Sequence, residues 1–429
     1  MNIVIDFPSR IGKGPPVFDV IVIGAGASGM MAAGRAGELG ARVLLLEKMS
    51  RAGLKLGITG KGRCNLTNEG DIPTFLKKYY PDGRFLRNGF ARFFNQDLIR
   101  FFEERGVPLT VERGGRVFPR SGRALDVVSA LLRYVQQGGV RLLKERAVRE
   151  ILVRDGSVLG VRTAWETFEA PSVILACGGA SYPRTGSTGD GYALARRIGH
   201  RIVSIRPHLV PLETEEPWVQ GLQGLALKNV SVTVWVGGRK GPSEFGEMLF
   251  THFGVSGPII LTLSGFVVDA LAQGKVELAL NLKPALTPDQ LDQRLQREFR
   301  AHPHKTLKTI LTFLLPKRLV PVFLDRSEVS GEKKGHQITA LERKRLLHLF
   351  NNLRLTVKGH RPLEEAIVTA GGVAVKEVNP LTMESRIVRG LYLCGEVLDI
   401  QGQTGGYNLQ AAFSTGRLAG ESAARRALA

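Results

Sequence analysis

One local pattern limits what this chain can fold into more than any other. Val20-Ile-Val-Ile runs into Gly24-Ala-Gly26-Ala-Ser28-Gly29, then a small-residue stretch to Gly40, then Arg42-Val-Leu-Leu-Leu ending in Glu47. A continuous apolar run suits a parallel strand buried on both faces. The spacing predicts a strand, a tight turn, a helix and a second strand. In such a unit Gly24 permits the turn, Gly26 lets the backbone approach a pyrophosphate, and Gly29 lets helix and strand pack closely. The N-terminus of the helix, opening at Ser28, offers unpaired N–H groups and a partial positive charge to the phosphates. Glu47 falls about 20 residues past the glycines, where an acid hydrogen-bonds a ribose hydroxyl. A glycine-rich turn in another α/β fold has no need of that acid. The pattern points to a bound dinucleotide, and the carboxylate of Glu47 repels a 2′-phosphate.

The rest of the chain divides around this unit. At 429 residues it is long enough for two or three domains. Within 122–137, Leu125, Val128, Leu131, Leu132 and Val135 recur at helical spacing and read as core. Val140–Leu143, Val148–Val153 and Val158–Thr163 read as a three-strand meander with a turn at Asp155-Gly156. Ser172–Ala176 is a further buried strand, ending in Cys177-Gly178-Gly179. After His200 the style changes. Val230–Val236 and Val276–Leu282 alternate like antiparallel strands, and Leu291, Leu295 and Phe299 mark an amphipathic helix. Arg326–His336 reads as a polar loop. From Ala366 the α/β style returns. The expected organisation is a discontinuous cofactor domain, 1–205 and 363–429. It is split by a β-rich subdomain (206–286 and 350–362) and a basic helical one (287–349).

No run of 18 apolar residues is present, so no membrane-spanning helix is expected. Met1–Pro16 lacks the apolar core of a secretory signal and reads as a short extension. Cys64, Cys177 and Cys394 are too few and scattered for a disulfide framework, which suits a reducing cytoplasm. No paired Cys or His spacing suggests a metal site.

Three later stretches favour a flavin over a nicotinamide as the resident group. Val173-Ile-Leu-Ala-Cys-Gly-Gly is like the strand-to-glycine turn that returns the chain beside the cofactor in flavoproteins with two dinucleotide-binding motifs. Leu391-Tyr-Leu-Cys-Gly-Glu396-Val-Leu-Asp399 is a strand ending at an acid that suits a ribityl hydroxyl. Gly402-Gln-Thr-Gly-Gly406-Tyr407-Asn408-Leu409 then opens a helix. The positive end of that helix would face the pyrimidine end of an isoalloxazine, where negative charge grows on reduction. No second glycine-rich dinucleotide motif occurs in the insert, so NAD(P)H would dock transiently and leave.

Four long motifs add a family resemblance: Thr59-Gly60-Lys-Gly62-Arg63-Cys64-Asn65-Leu-Thr-Asn68, Gly178-Gly-Ala-Ser-Tyr182-Pro-Arg-Thr-Gly-Ser-Thr-Gly-Asp-Gly, Thr251-His252-Phe-Gly-Val-Ser256-Gly-Pro and Gly405-Gly-Tyr-Asn-Leu-Gln-Ala-Ala. Together they resemble the HI0933-like flavoproteins, bacterial FAD-binding oxidoreductases also called the BaiN/RdsA-like or aminoacetone-oxidase-like family, over about residues 18–424. The resemblance implies an α/β fold: a Rossmann-type FAD domain of the glutathione-reductase type, interrupted by a β-barrel-like and a helical subdomain. It implies reduction of a conjugated C=C bond in a bile-acid intermediate or of uridine in large-subunit ribosomal RNA, or oxidation of aminoacetone with electrons passed to oxygen.

The resemblance also distributes roles. Gly24, Gly26, Ser28 and Gly29 would hold the pyrophosphate and Glu47 the adenosine ribose, with Lys48 and Lys55 adding charge nearby. Gly60, Gly62, Arg63 and Asn65 would form a loop beside the cofactor, with Gly178 continuing the wall. Glu396 would bind the ribityl chain, and Gly406, Asn408 and Leu409 would lie near the pyrimidine end. Cys64 is a candidate general acid for the carbon left after hydride transfer, or else a small buried packing residue. Tyr182 and Tyr407 are rival proton donors or packing aromatics. His252 and Ser256 could face a substrate or be structural. Cys177 stands where the family more often has threonine and reads as a packing substitution.

Charge selects among the substrates. Lys and Arg total 59 against 39 Asp and Glu, a formal net charge of +20. Residues 294–361 hold 16 Lys and Arg against 5 acids, with five of the eight histidines. A second cluster, Arg84–Arg123, has nine arginines against four acids. A solvated basic surface would explain this blandly, but its concentration in one segment favours a polyanion. Ribosomal RNA is the expected partner, with Lys333, Lys334, Arg343, Lys344 and Arg345 as candidate contacts. A small cationic amine would be repelled.

Overall fold

The computed structural model describes residues 18–429. The Met1–Pro16 extension lies outside the described residues. The described residues form two compact units, 18–206 with 368–429, and 207–367.

The first unit is built on a five-stranded parallel sheet. Its order is Leu391–Leu393, Ser172–Leu175, Val20–Ile23, Val43–Leu46, Arg141–Leu143. Side chains alternate across the sheet into two cores. Val20, Val22, Val43 and Leu45 enter one, and Ile21, Ile23, Leu44 and Leu46 the other. All eight are buried, which is why these runs read as unbroken apolar sequence.

Two readings of this region need correction. Arg141–Leu143 is not the first strand of the meander. It follows helix Ala124–Gln137 and pairs parallel with Val43–Leu46, as a crossover helix delivers a strand back to its own sheet. The antiparallel meander is Val148–Arg154, Ser157–Thr163 and Thr167–Glu169. On the helix, Val128, Leu131 and Val135 are buried, but Leu125 is 59% exposed. It sits in the first turn, off the edge of the stripe that its neighbours bury.

The helix Ala27–Glu38 and the long C-terminal helix Tyr407–Leu428 pack on the same side of the sheet. Their backbones nearly touch. A Cβ on Gly416 would lie 2.4 Å from the Ser28 carbonyl oxygen, and one on Gly420 would lie 2.2 Å from that of Ala32.

The second unit is a closed six-stranded antiparallel barrel and a set of helices. Around the barrel run Leu212–Thr214, Gly254–Ser256, Arg239–Phe250, Ala226–Val236, Val276–Asn281 and Leu353–His360. The apolar helix Pro258–Leu271 packs against it. Between the last two strands come Pro288–Ala301, Leu307–Leu311, Val320–Ser327 and Ala340–Asn351. Leu291, Leu295 and Phe299 are buried on one face of the first of these. One apolar core runs without a break from barrel to helices. The helix Val320–Ser327 claims Arg326 from the expected polar loop. Among the described residues, no helix is long and apolar enough to cross a membrane.

Candidate cofactor site

The first unit gathers its glycine motifs at the carboxyl ends of the parallel strands, where open α/β sheets bind ligands. Gly24 has φ +100°, and a Cβ there would lie 2.7 Å from the Ala176 carbonyl oxygen. A Cβ on Gly29 would fall 1.8 Å from the Gly24 carbonyl oxygen, closing the helix onto the turn. A Cβ on Gly26 would meet nothing within 4 Å. Gly26 is also the N-cap of its helix, which has no side-chain cap. An uncapped helix end next to an open glycine fits a pyrophosphate. Ser28 is buried in the first turn.

Glu47 is held ready at the end of the second strand. Its Oε2 accepts from the Ala25 N–H at 2.8 Å and its Oε1 from the Met49 N–H at 2.8 Å. The two lysines part company. Lys48 pairs with Asp190 and donates to Thr188. Lys55 reaches the other end of the site: its Nζ is 2.8 Å from Glu396 Oε2 and 2.8 Å from Ser181 Oγ. Glu396 Oε1 accepts from the Thr369 N–H at 2.9 Å, and Thr369 Oγ1 accepts from the Ala180 N–H at 2.8 Å. Thr369 and Ser181 carry no signal of their own in the sequence. Both lie inside stretches whose glycines dominate the pattern.

The loop Thr59–Asn68 is joined to the start of the C-terminal helix by two asparagines. Oriented to satisfy its neighbours, the Asn65 amide accepts from the Gly406 N–H at 3.0 Å and donates to the Thr67 carbonyl at 3.0 Å. Asn68 Nδ2 donates to the carbonyls of Gly405 and Gly114, each at 3.0 Å. Gly406 has φ +98°, and a Cβ there would lie 2.3 Å from the Thr67 carbonyl oxygen. It begins a helix that again has no side-chain cap. Asn408 turns back on its own loop, bonding both the N–H and the carbonyl of Gly402 at 2.7 and 2.8 Å. Leu409 is half-buried beside it.

Gly60 and Gly62 adopt φ of +61° and +83° in the loop, and Gly178 adopts +71°. Arg63 points outward, pairs with Glu112 and stacks 4.4 Å from the Phe118 ring centroid. Cys64 has 0% exposure, and burial pushes its thiol well above the ordinary range. Burial likewise raises the Tyr407 phenol, whose ring packs edge-on to Phe75 at 4.8 Å and Tyr79 at 6.2 Å. Tyr182 stays half-exposed at φ +55°, next to the Ser181 that binds Lys55. Cys177 is pushed up to about 12, mainly by burial. His252, exposed with its ring 4.9 Å from that of Phe253, and Ser256 belong to the second unit.

In the basic helical segment Lys333 and Arg343 have internal partners. Lys333 Nζ lies 2.6 Å from Glu342 Oε1, and Arg343 Nε lies 2.7 Å from Asp292 Oδ1. Lys334, Lys344 and Arg345 are exposed. Among the described residues, no group of three or more His, Cys, Asp or Glu side chains is placed to hold a metal ion.

Two uncapped helix ends, an open glycine between strand and helix, and carboxylates at both ends of the site make a cradle for a dinucleotide. The HI0933-like protein Rossmann domain matches residues 18–422. The chain belongs to the HI0933-like family. It is an FAD-dependent oxidoreductase. It is 34% identical over 409 residues to a 3-dehydro-bile acid delta(4,6)-reductase of Clostridium scindens, covering 94% of this chain and 98% of that protein. It is 32% identical over 398 residues to a ribosomal RNA dihydrouridine synthase of Escherichia coli, covering 93% and 96%. Among solved structures, the 3-ketosteroid delta1-dehydrogenase of Sterolibacterium denitrificans is similar at a TM-score of 0.52 and 13% identity, covering 96% of this chain and 100% of that one. At that identity the likeness speaks for the fold alone.

Proposed function

We propose that this flavoenzyme reduces the C5=C6 bond of uridine in large-subunit ribosomal RNA, with NAD(P)H as reductant, in the cytoplasm. The observation that carries the reading is the concentration of basic charge in residues 294–361. An RNA backbone is recognised through its phosphates, whereas a steroid or a small amine requires no such excess. Phe313 supports it, being 47% exposed with the His302 ring 4.9 Å and the Lys305 ammonium 5.0 Å away. An exposed ring among cations offers a stacking platform for a base. Relatives bearing the dihydrouridine synthase name are similar along nearly the whole chain. Three free thiols suit a reducing compartment.

Bound FAD, once reduced, supplies a hydride; balance then requires one proton at the neighbouring carbon of the substrate and one NAD(P)H oxidised per bond saturated. The protein's own groups orient and protonate. Gly24–Gly29 and Glu47 would hold the adenosine and pyrophosphate end. Glu396, steadied by Lys55 and Thr369, would hold the ribityl chain. The uncapped end of helix Tyr407–Leu428, braced by Asn65 and Asn68, would stabilise negative charge at the pyrimidine end. We assign the proton to Tyr182 in preference to Cys64 and Tyr407, which are buried in packing.

The deciding experiment is anaerobic reduction by NADH or NADPH, followed by reoxidation with unmodified ribosomal RNA, a small enone, an amine-derived system or oxygen in parallel. Dihydrouridine formed in step with flavin reoxidation is the expected result. Turnover of the enone alone would keep the reductase and reject the RNA. Peroxide released with an amine, without NAD(P)H, would make the protein an oxidase. Tyr182→Phe should slow reoxidation by substrate and leave reduction by NAD(P)H intact.

A further inference from the structure

Helix Ala340–Asn351 carries Leu341, Lys344, Arg345 and His348 at the i, i+3, i+4, i+7 spacing that aligns side chains on one face. All four are exposed, Leu341 at 62%. The opposite side is anchored by Leu346 and Phe350, both fully buried. The helix start is fixed by a capping box. Thr339 Oγ1 accepts from the Glu342 N–H at 3.2 Å, and Glu342 Oε2 accepts from the Thr339 N–H at 2.9 Å. The exposed face is therefore rigidly presented.

Helix Val320–Ser327 ends against this face, its chain turning at Glu328 with φ +56°. Between them lies an open pocket of about 410 Å³, lined chiefly by Arg326, Glu328, Leu341, Lys344, Arg345 and His348. Three permanent cations face one carboxylate, and that carboxylate is 3.7 Å from Arg345. A basic surface that serves solubility needs neither a concavity nor a leucine in it. The pairing of an apolar wall with converging cations suits a ligand that is flat and apolar on one part and anionic on the next.

We propose that this pocket takes one nucleotide of a single-stranded RNA segment, with Arg326, Lys344 and Arg345 on the backbone phosphates and Leu341 against the base. This rests on the RNA reading above and names where on the insert the RNA is gripped. Arginine offers a planar fork to phosphate oxygens and lysine a point charge. The volume is at the small end of the range for ligand sites. Of the five lysines and arginines expected from sequence, Lys344 and Arg345 remain in this set. Lys333 and Arg343 are held by Glu342 and Asp292, Lys334 is exposed but does not line the pocket, and Arg326 and His348 join the set.

The test uses the full-length, FAD-loaded protein with fluorescent 12-nucleotide oligouridylate and unmodified large-subunit ribosomal RNA, titrated between 50 and 200 mM salt. Lys344→Glu with Arg345→Glu should weaken binding by about tenfold or more. It should also lower the salt slope by about 1.4, at roughly 0.7 for each single-strand phosphate that the protein no longer neutralises. Leu341→Ala should weaken binding about threefold with the slope unchanged. The same charge reversal at Arg239 and Lys240, exposed at a barrel hairpin, should cost far less. Flavin absorbance and melting temperature report that each variant is folded, and the milder Lys344→Gln with Arg345→Gln replaces any that is not. Equal losses from the two reversals would overturn the pocket while leaving RNA as partner. Failure of the unaltered protein to bind either RNA would overturn both readings. Titration with phosphatidylglycerol–phosphatidylcholine vesicles runs in parallel, and a Lys344→Glu, Arg345→Glu variant that loses vesicle binding with RNA binding unchanged would overturn the pocket in favour of a membrane surface.

Discussion

The two units spend their sequence differently. In the first, the important contacts are made by backbone: glycines at Gly24, Gly29, Gly416 and Gly420 bring main chains so close that a methyl group has no room. In the second, a barrel and helices share one core of ordinary aliphatic and aromatic side chains, and distinctiveness lies in the charges on the surface. A site written in backbone depends on single residues. A surface written in charge depends on a sum, and tolerates the loss of any one member.

The sharpest way to break this contrast is Gly29→Val. With even a Cβ placed 1.8 Å from the Gly24 carbonyl oxygen, the helix must leave the strand. The expected result is loss of FAD and of more than about 3 kcal/mol of stability, beyond ordinary overpacking, read from the flavin spectrum and urea unfolding. Next comes Leu295→Ala, fully buried in the insert. A loss of about 2–5 kcal/mol is expected, with FAD still bound to the purified protein. If FAD is lost as well, the two units do not divide their labour as described.

Glu396→Gln tests a charge within the backbone-built site. It removes the carboxylate charge beside Lys55, which keeps Ser181 Oγ as a partner, and should weaken FAD about tenfold by equilibrium dialysis, with Glu396→Asp recovering part. An acid titration comes next. His200 is enclosed between Glu377, whose Oε2 is 3.0 Å from Nδ1, and Ser385, whose Oγ is 2.9 Å from Nε2. Burial pushes its pKa below the usual 6.5, with Glu377 opposing in part. The unfolded chain therefore takes up the proton first. Stability is full above about pH 6.5 and falls as pH drops toward the folded pKa, by at most about 1.4 kcal/mol per pH unit. Replacing His200 with Gln should flatten the midpoint of urea unfolding between pH 7.5 and 5. The smallest effect is expected of Cys64→Ala: rates of flavin reduction and substrate turnover within about threefold. A hundredfold loss of turnover alone would restore Cys64 as the acid.

Sequence is most legible where function needs consecutive residues. Gly24, Gly26, Gly29 and Glu47 are close in the chain, and each has one physical reason to be there. Thr369 and Lys55 are harder, because their meeting around Glu396 joins Lys55 to a partner more than 300 residues away. Arg343 looks available for RNA because nothing in the chain marks Asp292, 51 residues earlier, as its partner. Leu125 shows a different limit. Periodicity finds the stripe of a helix, but burial at its edge depends on what packs there. The strand Arg141–Leu143 is easily placed in the wrong sheet, because three residues carry no sign of parallel or antiparallel pairing.

The close seam between Ser28–Ala32 and Gly416–Gly420 has one more effect. It fixes the spacing between two helices whose uncapped ends would hold different parts of a bound flavin dinucleotide, like the fixed jaws of a caliper. A bound flavin would have to match that spacing between its phosphates and its ring, while recognition of the adenosine half would fall to Glu47.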